Sequence, residues 1–476
     1  MPSRKAAFRI EKDFLGEVKV PIKAYYGIQT CRAAKNFPIS AITPKPVFIK
    51  ATAIVKLASA KANQTLGLLD KKRARAIIQA SQEIISGKLH NEFIVDAYQA
   101  GAGTSHNMNA NEVIANRAEE LLGGKRGDYC LVHPNDHVNM SQSSNDVYPT
   151  AMRLSAISAS TSLINALTAL ERALSNKARQ FDNIIKSGRT HLQDAVPIRL
   201  GQEFGAYASS IKNSAERVKT AQEALKNIGL GGTAVGTGIN THLKYAKTIL
   251  CELKKASLIK DLKPAPDAFT ALSSVADFIA YSGALKGLSV ELIKIANDLR
   301  LLSSGPNTGI GEIKLPAVQP GSSIMPGKVN PVMAEMLSMV CFQAIGNDLT
   351  ITMAGQAGQL ELNVMTPVIN CNILHTTELL ENAVKAFTQN CVIGITADKK
   401  KCAEHFEDSA GLATVLNTFI GYEKASEVAK EALESGRTIK AVSVEKGVFT
   451  EKEWNLLFDT VKITTPGQLR RKQRRG

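Results

Sequence analysis

The chain places an unusual set of reactive side chains within fifteen residues, two thirds of the way along its length. This segment begins at Gly321 and contains two adjacent hydroxyls, a cation, an amide and a carboxylate: Ser322, Ser323, Lys328, Asn330 and Glu335. A hydroxyl near a fixed cation can be ionised, and neighbouring donors can hold an anion that develops during a reaction. A plain surface loop is the alternative, but such a loop has no need of this side-chain set. The segment therefore predicts acid–base chemistry on a substrate that gains negative charge.

The surrounding sequence predicts a loop rather than a helix or strand. Between Gly305 and Pro331 the chain contains ten Gly or Pro residues, which regular structure does not tolerate. A strongly helical pattern begins near Val332. We therefore expect Ser322 and Ser323 to lie on a mobile arm that leads into a helix.

The segment resembles the GSSxMPxKxNxxxxE signature of the aspartase/fumarase superfamily, and it matches at every specified position. The signature is long and chemically mixed, so chance is a poor explanation for the match. The resemblance covers essentially the whole chain, from Arg9 to about residue 460. It implies an enzyme that eliminates an amine or water from a succinyl-type substrate and leaves fumarate.

Three further segments combine small and polar residues in a way that suits an anion site. Small residues before Thr104 would let backbone N–H groups approach a ligand closely. The run Ser143–Asn145 places short donors just before a helix, where they either cap the helix or bind an anion. The segment Gly188–Pro197 contains Thr190 and His191. All three segments resemble substrate-contacting regions of the superfamily.

The resemblance implies a role for each of these residues. The donors to the β-carboxylate of the substrate would be Thr104, Ser143, Ser144 and Ser323. The α-carboxylate would be bound by Thr190, Lys328 and Asn330. The amino group would face Asn145 and His191. Ser322 would be the general base, and His191 would orient the substrate or tune charge through Glu335. No metal and no other cofactor is required, because protein donors take the place of an electrophile.

Several positions bear on which leaving group is eliminated. Tyr25-Tyr26-Gly27, Gly101-Ala-Gly-Thr-Ser105 and Asp194-Ala-Val-Pro197 take the form found in aspartate ammonia-lyases. Ser144 departs from that form, because the order Ser-Ser-Asn is that of class II fumarases. Asn307 stands where both kinds of enzyme usually carry an arginine, and its effect is open. The resemblance therefore predicts deamination of L-aspartate to fumarate, with dehydration of malate as the alternative.

The composition is that of a large, helix-rich protein. The chain has 476 residues, 44% of them hydrophobic and only 5% aromatic, with abundant helix-forming residues. No apolar run approaches the ~20 residues of a membrane-spanning helix. The first ten residues contain no apolar signal core, so we expect no membrane association. Seven scattered cysteines and no visible metal-ligand cluster favour a reducing cytoplasm.

The net charge of +15 raises a more distant alternative, a basic nucleic-acid-binding or scaffold protein that has lost catalysis. The positive excess is spread along the chain except at the C-terminus, where Leu469–Gly476 carries five positive charges. No nucleic-acid-binding motif accompanies this tail, and the reactive residues are intact. We therefore expect no nucleic-acid partner and a solvated, dispensable tail.

Apolar periodicity predicts a mainly α fold, and the resemblance implies a central bundle of long helices flanked by smaller N- and C-terminal domains. We place the three domains at residues 1–142, 143–397 and 398–476. The clearest helix is predicted from about Pro266 to Leu302, with an apolar stripe that begins at Val275. The resemblance also implies a homotetramer with active sites shared between subunits. The stripe is long enough to suggest the helix that holds the copies together.

Overall fold

The computed structural model describes residues 7–467, and the basic tail Leu469–Gly476 lies outside the described residues. Helices account for 62% of the protein, so the mainly α class predicted from the sequence is confirmed. Within residues 7–467, no helix combines the length and the apolar character that crossing a membrane requires.

The helices fall into three groups along the chain. The N-terminal helices are α1 (Ile28–Asn36), α2 (Pro46–Thr65), α3 (Lys71–Ile85) and α4 (Thr104–Leu121). The middle group contains the long helices: α5 (Ser144–Gln180), α6 (Leu200–Ala224), α7 (Tyr245–Ser257), α8 (Ala268–Ser273), α9 (Ala276–Leu302), α10 (Val332–Gln356) and α11 (Thr366–Asn390). The C-terminal helices are shorter: α12 (Lys399–Asp408), α13 (Leu412–Ile420), α14 (Tyr422–Ser435), α15 (Ile439–Glu445), α16 (Glu451–Leu457) and α17 (Thr460–Ile463).

The strands pair only into small two-stranded sheets. Two antiparallel hairpins are formed by β1 (Phe8–Asp13) with β2 (Gly16–Pro21) and by β3 (Ile185–Thr190) with β4 (Gln193–Arg199). Two shorter pairs join β5 (Asn227–Ile228) to β6 (Lys263–Pro264) and β7 (Ile313–Lys314) to β8 (Thr396–Ala397). The β3–β4 hairpin matters most for function, because it carries Thr190 and His191.

The helix α9 begins later than predicted. Ser274 has an extended backbone, with φ −105° and ψ 137°, and its hydroxyl accepts a hydrogen bond from the Ala276 N–H at 3.3 Å. A short polar side chain that bonds the backbone two residues further on competes with helical hydrogen bonding. The prediction of a single helix from Pro266 is therefore wrong, and α8 and α9 are separate helices.

The apolar stripe of α9 is buried within a single chain. Its nine side chains, from Val275 to Leu302 at spacings of 3 or 4 residues, are at most 7% exposed. A surface that one chain already buries is not available to a second copy. The prediction that this stripe holds the copies together is therefore wrong, although the helical period that identified the stripe is confirmed.

A connection over residues 357–365 separates α10 from α11. Asn363 lies in the connection, and its Nδ2 donates to the carbonyls of Ala354 and Gly355 at 3.1 and 3.0 Å. The last carbonyls of a helix have no partner within the helix. Asn363 therefore completes the end of α10.

The chain divides into two compact units. The first unit contains residues 7–164, 216–289 and 342–381, and the second contains residues 165–215, 290–341 and 382–467. In the first unit, α2, α3 and α4 pack around a core that includes Ile49, Ile77 and Val113. In the second unit, the C-terminal helices pack around Leu416 and Trp454. The three-domain division stays a prediction.

Candidate active site

In the first unit, Ser143, Ser144 and Asn145 lie where the chain enters α5. The Ser143 N–H donates to the carboxylate of Asp146 at 2.9 Å, and the Asn145 N–H donates to Ser143 Oγ at 3.2 Å. Asn145 Nδ2 donates to the carbonyl of Ala234, in a glycine-rich turn, at 2.8 Å. Three short polar side chains therefore surround the start of a 37-residue helix, where free backbone N–H groups favour an anion.

Asp146 joins this helix start to the glycine-rich turn. Its Oδ2 accepts hydrogen bonds from the N–H groups of Gly231 and Thr233, each at 3.0 Å. Burial raises the pKa of Asp146 to about 6, although these bonds and the one from Ser143 act in the opposite direction. The backbone is therefore fixed on both sides of the predicted donors.

A buried amide network supports Ser144. The Nζ of Lys56, on α2, donates to Asn139 Oδ1 at 2.9 Å and to Gln142 Oε1 at 3.0 Å. The Nδ2 of Asn107, on α4, donates to the same Asn139 oxygen at 3.2 Å and to Ser144 Oγ at 3.0 Å. Lys56 is fully buried, and burial lowers its pKa to about 7 while a nearby carboxylate acts the other way. The network thus connects a buried cation to a predicted substrate donor.

Thr104 is the first residue of α4, and its side chain is exposed. The two preceding residues, Ala102 and Gly103, have φ values of 58° and 71°. A Cβ at Gly103 would lie 2.0 Å from the ring of Tyr148, so only glycine fits at this position. The Ala102 N–H donates to the carbonyl of Val364 at 2.8 Å. This fixed turn presents Thr104 at a second helix start.

In the second unit, Thr190 and His191 lie at the tip of the β3–β4 hairpin. His191 and Leu192 form its two-residue loop, with φ values of 55° and 60°. Such turns usually take Asn and Gly, because other residues are strained at positive φ. Leu192 is 69% exposed, so burial of its side chain does not explain its presence. Strained backbone at this turn is consistent with the prediction that Thr190 and His191 belong to a functional site.

The signature loop is closed at its neck by its own backbone. The Gly321 N–H donates to the carbonyl of Lys328 at 2.8 Å, and Asn330 Nδ2 donates to the carbonyl of Gly321 at 2.7 Å. A Cβ on Gly321 would lie 2.4 Å from the Lys328 oxygen. Only glycine therefore allows the neck to close in this way.

Ser322 lies directly after this neck. The N–H groups of Ile324 and Met325 donate to Ser322 Oγ at 3.2 and 3.0 Å. Serines in ordinary turns make the same bonds. The bonds would also stabilise negative charge on the serine oxygen and so favour the ionised form of the hydroxyl. The apolar side chain of Ile324 is 83% exposed at the tip of the loop.

Lys328 is exposed on the same loop, and Glu335 lies half-buried in the first turn of α10. The loop therefore gathers the predicted base, a cation and two further donors, Ser323 and Asn330, ahead of one helix. Their spacing along the chain is short enough that a small movement of the loop would move all four groups together.

A buried charge cluster fixes the hairpin and the residue that precedes β7. Glu312 is fully buried, and its Oε2 lies 2.9 Å from the Nζ of Lys186, on β3. Its Oε1 accepts a hydrogen bond from Arg189 at 2.9 Å and lies 2.9 Å from Nδ1 of His405, on α12. Burial raises the pKa of Glu312, but Arg189 and Lys186 outweigh that effect, so the pKa lies below its ordinary value. Arg189 is the neighbour of Thr190, so the cluster holds the strand that carries this site residue.

The predicted site residues fall into two sets. The first unit contains Thr104, Ser143, Ser144 and Asn145. The second unit contains Thr190, His191, Ser322, Ser323, Lys328, Asn330 and Glu335. The catalytic roles of both sets remain predictions.

Sequence reasoning missed the residues that support both sets: Lys56, Asn107, Asn139, Lys186, Arg189, Glu312 and His405. A lone Lys or Asn on an apolar helix gives no warning of its partners. One available signal was the repetition of Asn at positions 107, 109 and 111 of α4, all of which are buried. Buried amides at this density need partners, and therefore indicate a polar network.

Within the described part of the chain, no group of three or more His, Cys, Asp or Glu side chains could hold a metal ion. Both sets of site residues instead consist mainly of hydroxyls, amides and cations. Such donors suit a small anionic ligand.

The helical fold, the signature loop and the hydroxyl-bearing helix starts together define one class of enzyme. Residues 16–346 match the family model described as Lyase, and residues 412–465 match the model described as Fumarase C C-terminus. The chain belongs to this lyase family, and the resemblance to the aspartase/fumarase superfamily is confirmed.

The chain is similar over nearly its full length to named relatives. It is 50% identical to an aspartate ammonia-lyase of Pseudomonas fluorescens, covering 94% of both chains. It is 47% identical to an aspartate ammonia-lyase of Bacillus subtilis, covering 97% of both. A class II fumarate hydratase of Bradyrhizobium diazoefficiens is 46% identical and is covered to 98%, with 97% of this chain aligned.

A solved structure has the same fold. The crystal structure described as fumarate lyase:delta crystallin from Brucella melitensis bound to cobalt matches with a TM-score of 0.94 and 48% identity. The match covers 97% of this chain and 100% of that one. The fold predicted from the sequence is therefore confirmed by a structure at substantial identity.

Proposed function

We propose that the chain is an aspartate ammonia-lyase, which eliminates ammonia from L-aspartate and leaves fumarate. The observation that carries this proposal is the near-full-length match to aspartate ammonia-lyases, at 50% identity for one of them. The chemistry of the two residue sets supports it, because hydroxyls, amides and a lysine suit a substrate with two carboxylates.

The reaction must break a C–H bond beside the β-carboxylate of aspartate. That proton is weakly acidic, so the carboxylate has to take up the electron pair as an aci-carboxylate dianion. Ammonia then leaves from the opposite face, the C–N bond breaks and the carbon–carbon double bond forms. The protein therefore needs a base near Cβ and preorganised donors around the β-carboxylate.

Ser322 is the proposed base. A serine hydroxyl is a weak base at neutral pH unless its anion is stabilised. The backbone N–H groups of Ile324 and Met325 already point at Ser322 Oγ, and Lys328 lies on the same loop. Closure of the loop would bury the exposed Ile324, exclude water and strengthen these contacts.

Each carboxylate of the substrate would be held by its own group of donors. Thr104, Ser143, Ser144 and Ser323 are the proposed donors to the β-carboxylate. The proposed donors to the α-carboxylate are Thr190, Lys328 and Asn330. Asn145 and His191 would face the amino group, and His191 would act through Glu335. The placement of Thr104 and Ser144 at helix starts supports their part, because helix N-termini attract anions.

We further propose a homotetramer in which each active site combines segments from different subunits. An exposed apolar face on α10 supports this assembly. Phe342, Leu349 and Met353 are 60%, 63% and 54% exposed, and their spacing places them on one side of the helix. Gly346 lies between them, and a Cβ there would meet nothing within 4 Å. An apolar face of this kind on a single chain indicates a contact with another copy.

The assembly is tested with Leu349→Lys, which places a charge in the middle of the α10 face. Light scattering should give four copies for the unchanged protein and a smaller species for Leu349→Lys, with activity lost in parallel. Leu433→Lys is the matched control, because Leu433 is 78% exposed on a different helix, α14. A stable, active monomer would remove both the tetramer and the shared site.

The substrate is tested by incubating the protein separately with L-aspartate and with malate while following fumarate absorbance. We expect fumarate from aspartate only, and aspartate from fumarate plus ammonia. Efficient dehydration of malate with inert aspartate would instead establish the fumarase alternative, which Ser144 and the fumarate hydratase relative favour.

A protein inert with both substrates would favour the basic nucleic-acid-binding or scaffold alternative. A gel shift that weakens steeply with salt would be its signature. The absence of a nucleic-acid partner and a cytoplasmic location stay predictions of the sequence.

A further inference from the structure

Ser144 has a hydroxyl that can both donate and accept a hydrogen bond, whereas a carboxylate can only accept. To bind a substrate carboxylate, Ser144 must direct its proton outward, and a protein donor should occupy one of its lone pairs. Asn107 Nδ2, 3.0 Å from Ser144 Oγ, is such a donor. Within residues 7–467 the Ser144 hydroxyl accepts this bond and donates none, and Ser144 is only half-buried, so its proton is available to a ligand.

Asn107 could in principle turn either end of its amide toward Ser144, and its neighbours decide which end faces it. Asn139 Oδ1 lies 3.2 Å from Asn107 Nδ2. A reversed Asn107 amide would bring two oxygens together at that distance. Asn107 Oδ1 itself is buried and accepts no hydrogen bond from any described residue, so it does not determine the orientation. The orientation of Asn107 therefore depends on that of Asn139.

The orientation of Asn139 is fixed by Lys56. The ammonium group of a lysine can only donate, so the atom of Asn139 that lies 2.9 Å from Lys56 Nζ must be its oxygen. Asn139 Nδ2 correspondingly donates to the carbonyl of Gln142 at 3.2 Å, and Asn111 Nδ2 adds a third donor to the Asn139 oxygen at 3.1 Å. A neutral lysine amine would still carry two hydrogens for its two acceptors. Deprotonation of Lys56 would therefore leave the direction of these bonds unchanged.

We propose that Lys56, through Asn139 and Asn107, sets the direction of this hydrogen-bond chain so that Ser144 donates its proton to the β-carboxylate of the substrate. Lys56 and Asn107 are positioning residues, because neither needs to touch the substrate. The inference rests on the proposed function, in which Ser144 is a donor to that carboxylate. It adds the reason why a buried lysine and a row of buried asparagines lie next to the site.

The inference is tested with a double-mutant cycle of Asn107→Leu and Ser144→Ala. If Asn107 acts through Ser144, each single change should lower kcat by roughly 10²-fold, the effect of losing one preorganised donor. The double variant should then stay within about 3-fold of Ser144→Ala, because the same interaction cannot be lost twice. KM should change much less than kcat, since the donor matters most when the carboxylate gains charge.

Asn109→Leu is the matched control. Asn109 is equally buried on α4, but its Nδ2 donates to the carbonyl of Glu92 at 2.9 Å and has no link to Ser144. It should lower stability without lowering kcat by more than about 3-fold. If Asn107→Leu does not fold, Asn107→Asp keeps the size and turns the donor into an acceptor, and the cycle is repeated with it.

Lys56→Met extends the mutant cycle to Lys56, the first residue of the hydrogen-bond chain. It should lower kcat in the unchanged background and have little effect in Ser144→Ala, whereas the exposed Lys50→Met on the same helix should have none in either. Effects that multiply in the double variants would overturn the inference. A failure of the proposed function is distinguishable from a failure of this inference, because it appears in the assay of the unchanged protein. If the unchanged protein acts on malate alone, the same mutant cycle is measured with malate as the substrate. Inactivity on both substrates would overturn the proposed function and this inference together.

Discussion

Four buried groups of the first unit have pKa shifts opposite in kind to the shift of Glu312 in the second unit. In the first unit, burial dominates: the pKa of Lys56 is lowered to about 7, that of His106 is lowered to about 3, and those of Asp146 and Glu112 are raised to about 6. Every one of these shifts favours the uncharged form. In the second unit, Glu312 has three cationic or potentially cationic partners, and its pKa falls below its ordinary value despite complete burial.

The second unit also shows what decides the direction. Glu203 pairs with Lys186 at 2.8 Å, yet burial, together with the nearby carboxylates of Glu312 and Asp298, raises its pKa. Glu312 contacts the same lysine together with Arg189 and His405, and its pKa is lowered. One partner does not offset the desolvation of a buried carboxylate, whereas several do. In the first unit, Ser144 is therefore oriented by amides and by a lysine whose pKa is lowered to about 7. In the second unit, the β3–β4 hairpin is instead held by ion pairs to Glu312.

Removal of the Ser322 oxygen, the proposed base in the second unit, should lower turnover more than any other change. Ser322→Ala keeps the loop and should lower turnover by on the order of 10³ or more, because it removes the base while the donors of the first unit remain. Ser323→Ala and Ser144→Ala each remove one donor among several and should be milder. Turnover is measured at saturating aspartate. Near-normal turnover of Ser322→Ala would place the base elsewhere, and His191 would be the next candidate.

Neutralising the charge cluster should have the next largest effect. Glu312→Gln removes the buried counter-charge of Arg189 and one of the two carboxylates that pair with Lys186, so the free energy of unfolding should fall by about 3 kcal/mol. Because the pKa of Glu312 is lowered in the folded protein, its stabilisation is present above its unfolded pKa and is lost as pH falls through the folded value. The difference between the variant and the unchanged protein in urea unfolding should therefore shrink in acid.

The control for that change is Glu404→Gln. Glu404 pairs with Lys400 at 3.7 Å on the exposed side of α12, the helix that also carries His405. An exposed pair of this kind contributes at most about 0.5 kcal/mol. Equal losses in Glu312→Gln and Glu404→Gln would mean that the charge cluster does not support the hairpin.

Lys56 offers a test of the opposite behaviour in the first unit. Burial lowers its pKa from the ordinary lysine value of 10.5 to about 7 in the folded protein, so between these values the unfolded chain binds more protons. Stability should therefore rise with pH in that window, by on the order of 2 kcal/mol between pH 7 and 9. Lys56→Met should abolish this rise, which urea unfolding at the two pH values measures. A rise that persists in Lys56→Met belongs to another group.

A change at the neck of the loop should have a smaller effect that is confined to catalysis. Gly321→Ala forces a Cβ against the Lys328 carbonyl and opens the neck that positions Ser322. Turnover should fall by roughly 10-fold, while stability changes by less than about 1 kcal/mol because the loop is largely exposed. Gly327→Ala is a useful comparison on the same loop. A Cβ at Gly327 has no atom within 4 Å, although the backbone there has a φ of 81°, so this variant tests backbone strain without a steric clash. An unchanged turnover in Gly321→Ala would show that the neck does not position the base.

Truncation after Gln468 should have the smallest effect. The tail carries five positive charges and matches no site motif, so activity should stay within about 3-fold of that of the full chain. A complete loss of folding or activity would show that the tail docks on the protein.

The sequence predicted the family, the helical class, the stripe of α9 and the start of α10, because these depend on local periodicity and on a long signature. It missed the start of α9, because Ser274 resembles any helical serine until its hydroxyl is seen to bond the Ala276 N–H. It also missed the β3–β4 hairpin, since His191-Leu192 lacks the Asn-Gly chemistry that normally marks a two-residue turn.

The support of the site was beyond sequence reasoning for a different reason. Lys56 and Asn139 are 83 residues apart, and Arg189 and Glu312 are 123 apart. No local pattern connects such pairs. The α9 stripe was predicted to hold the copies together, but its own chain buries it, and an apolar stripe in a sequence gives no indication of what covers it.

At the turn His191-Leu192, selection for stability and selection for activity should favour different residues. Each residue sits in a left-handed conformation that glycine or asparagine adopts more readily, and the strain is on the order of 1 kcal/mol per residue. A library screened only for survival of heating should therefore accumulate Leu192→Gly. A library that must release nitrogen from aspartate in order to grow should keep the stiffer turn that holds Thr190 and His191 in place.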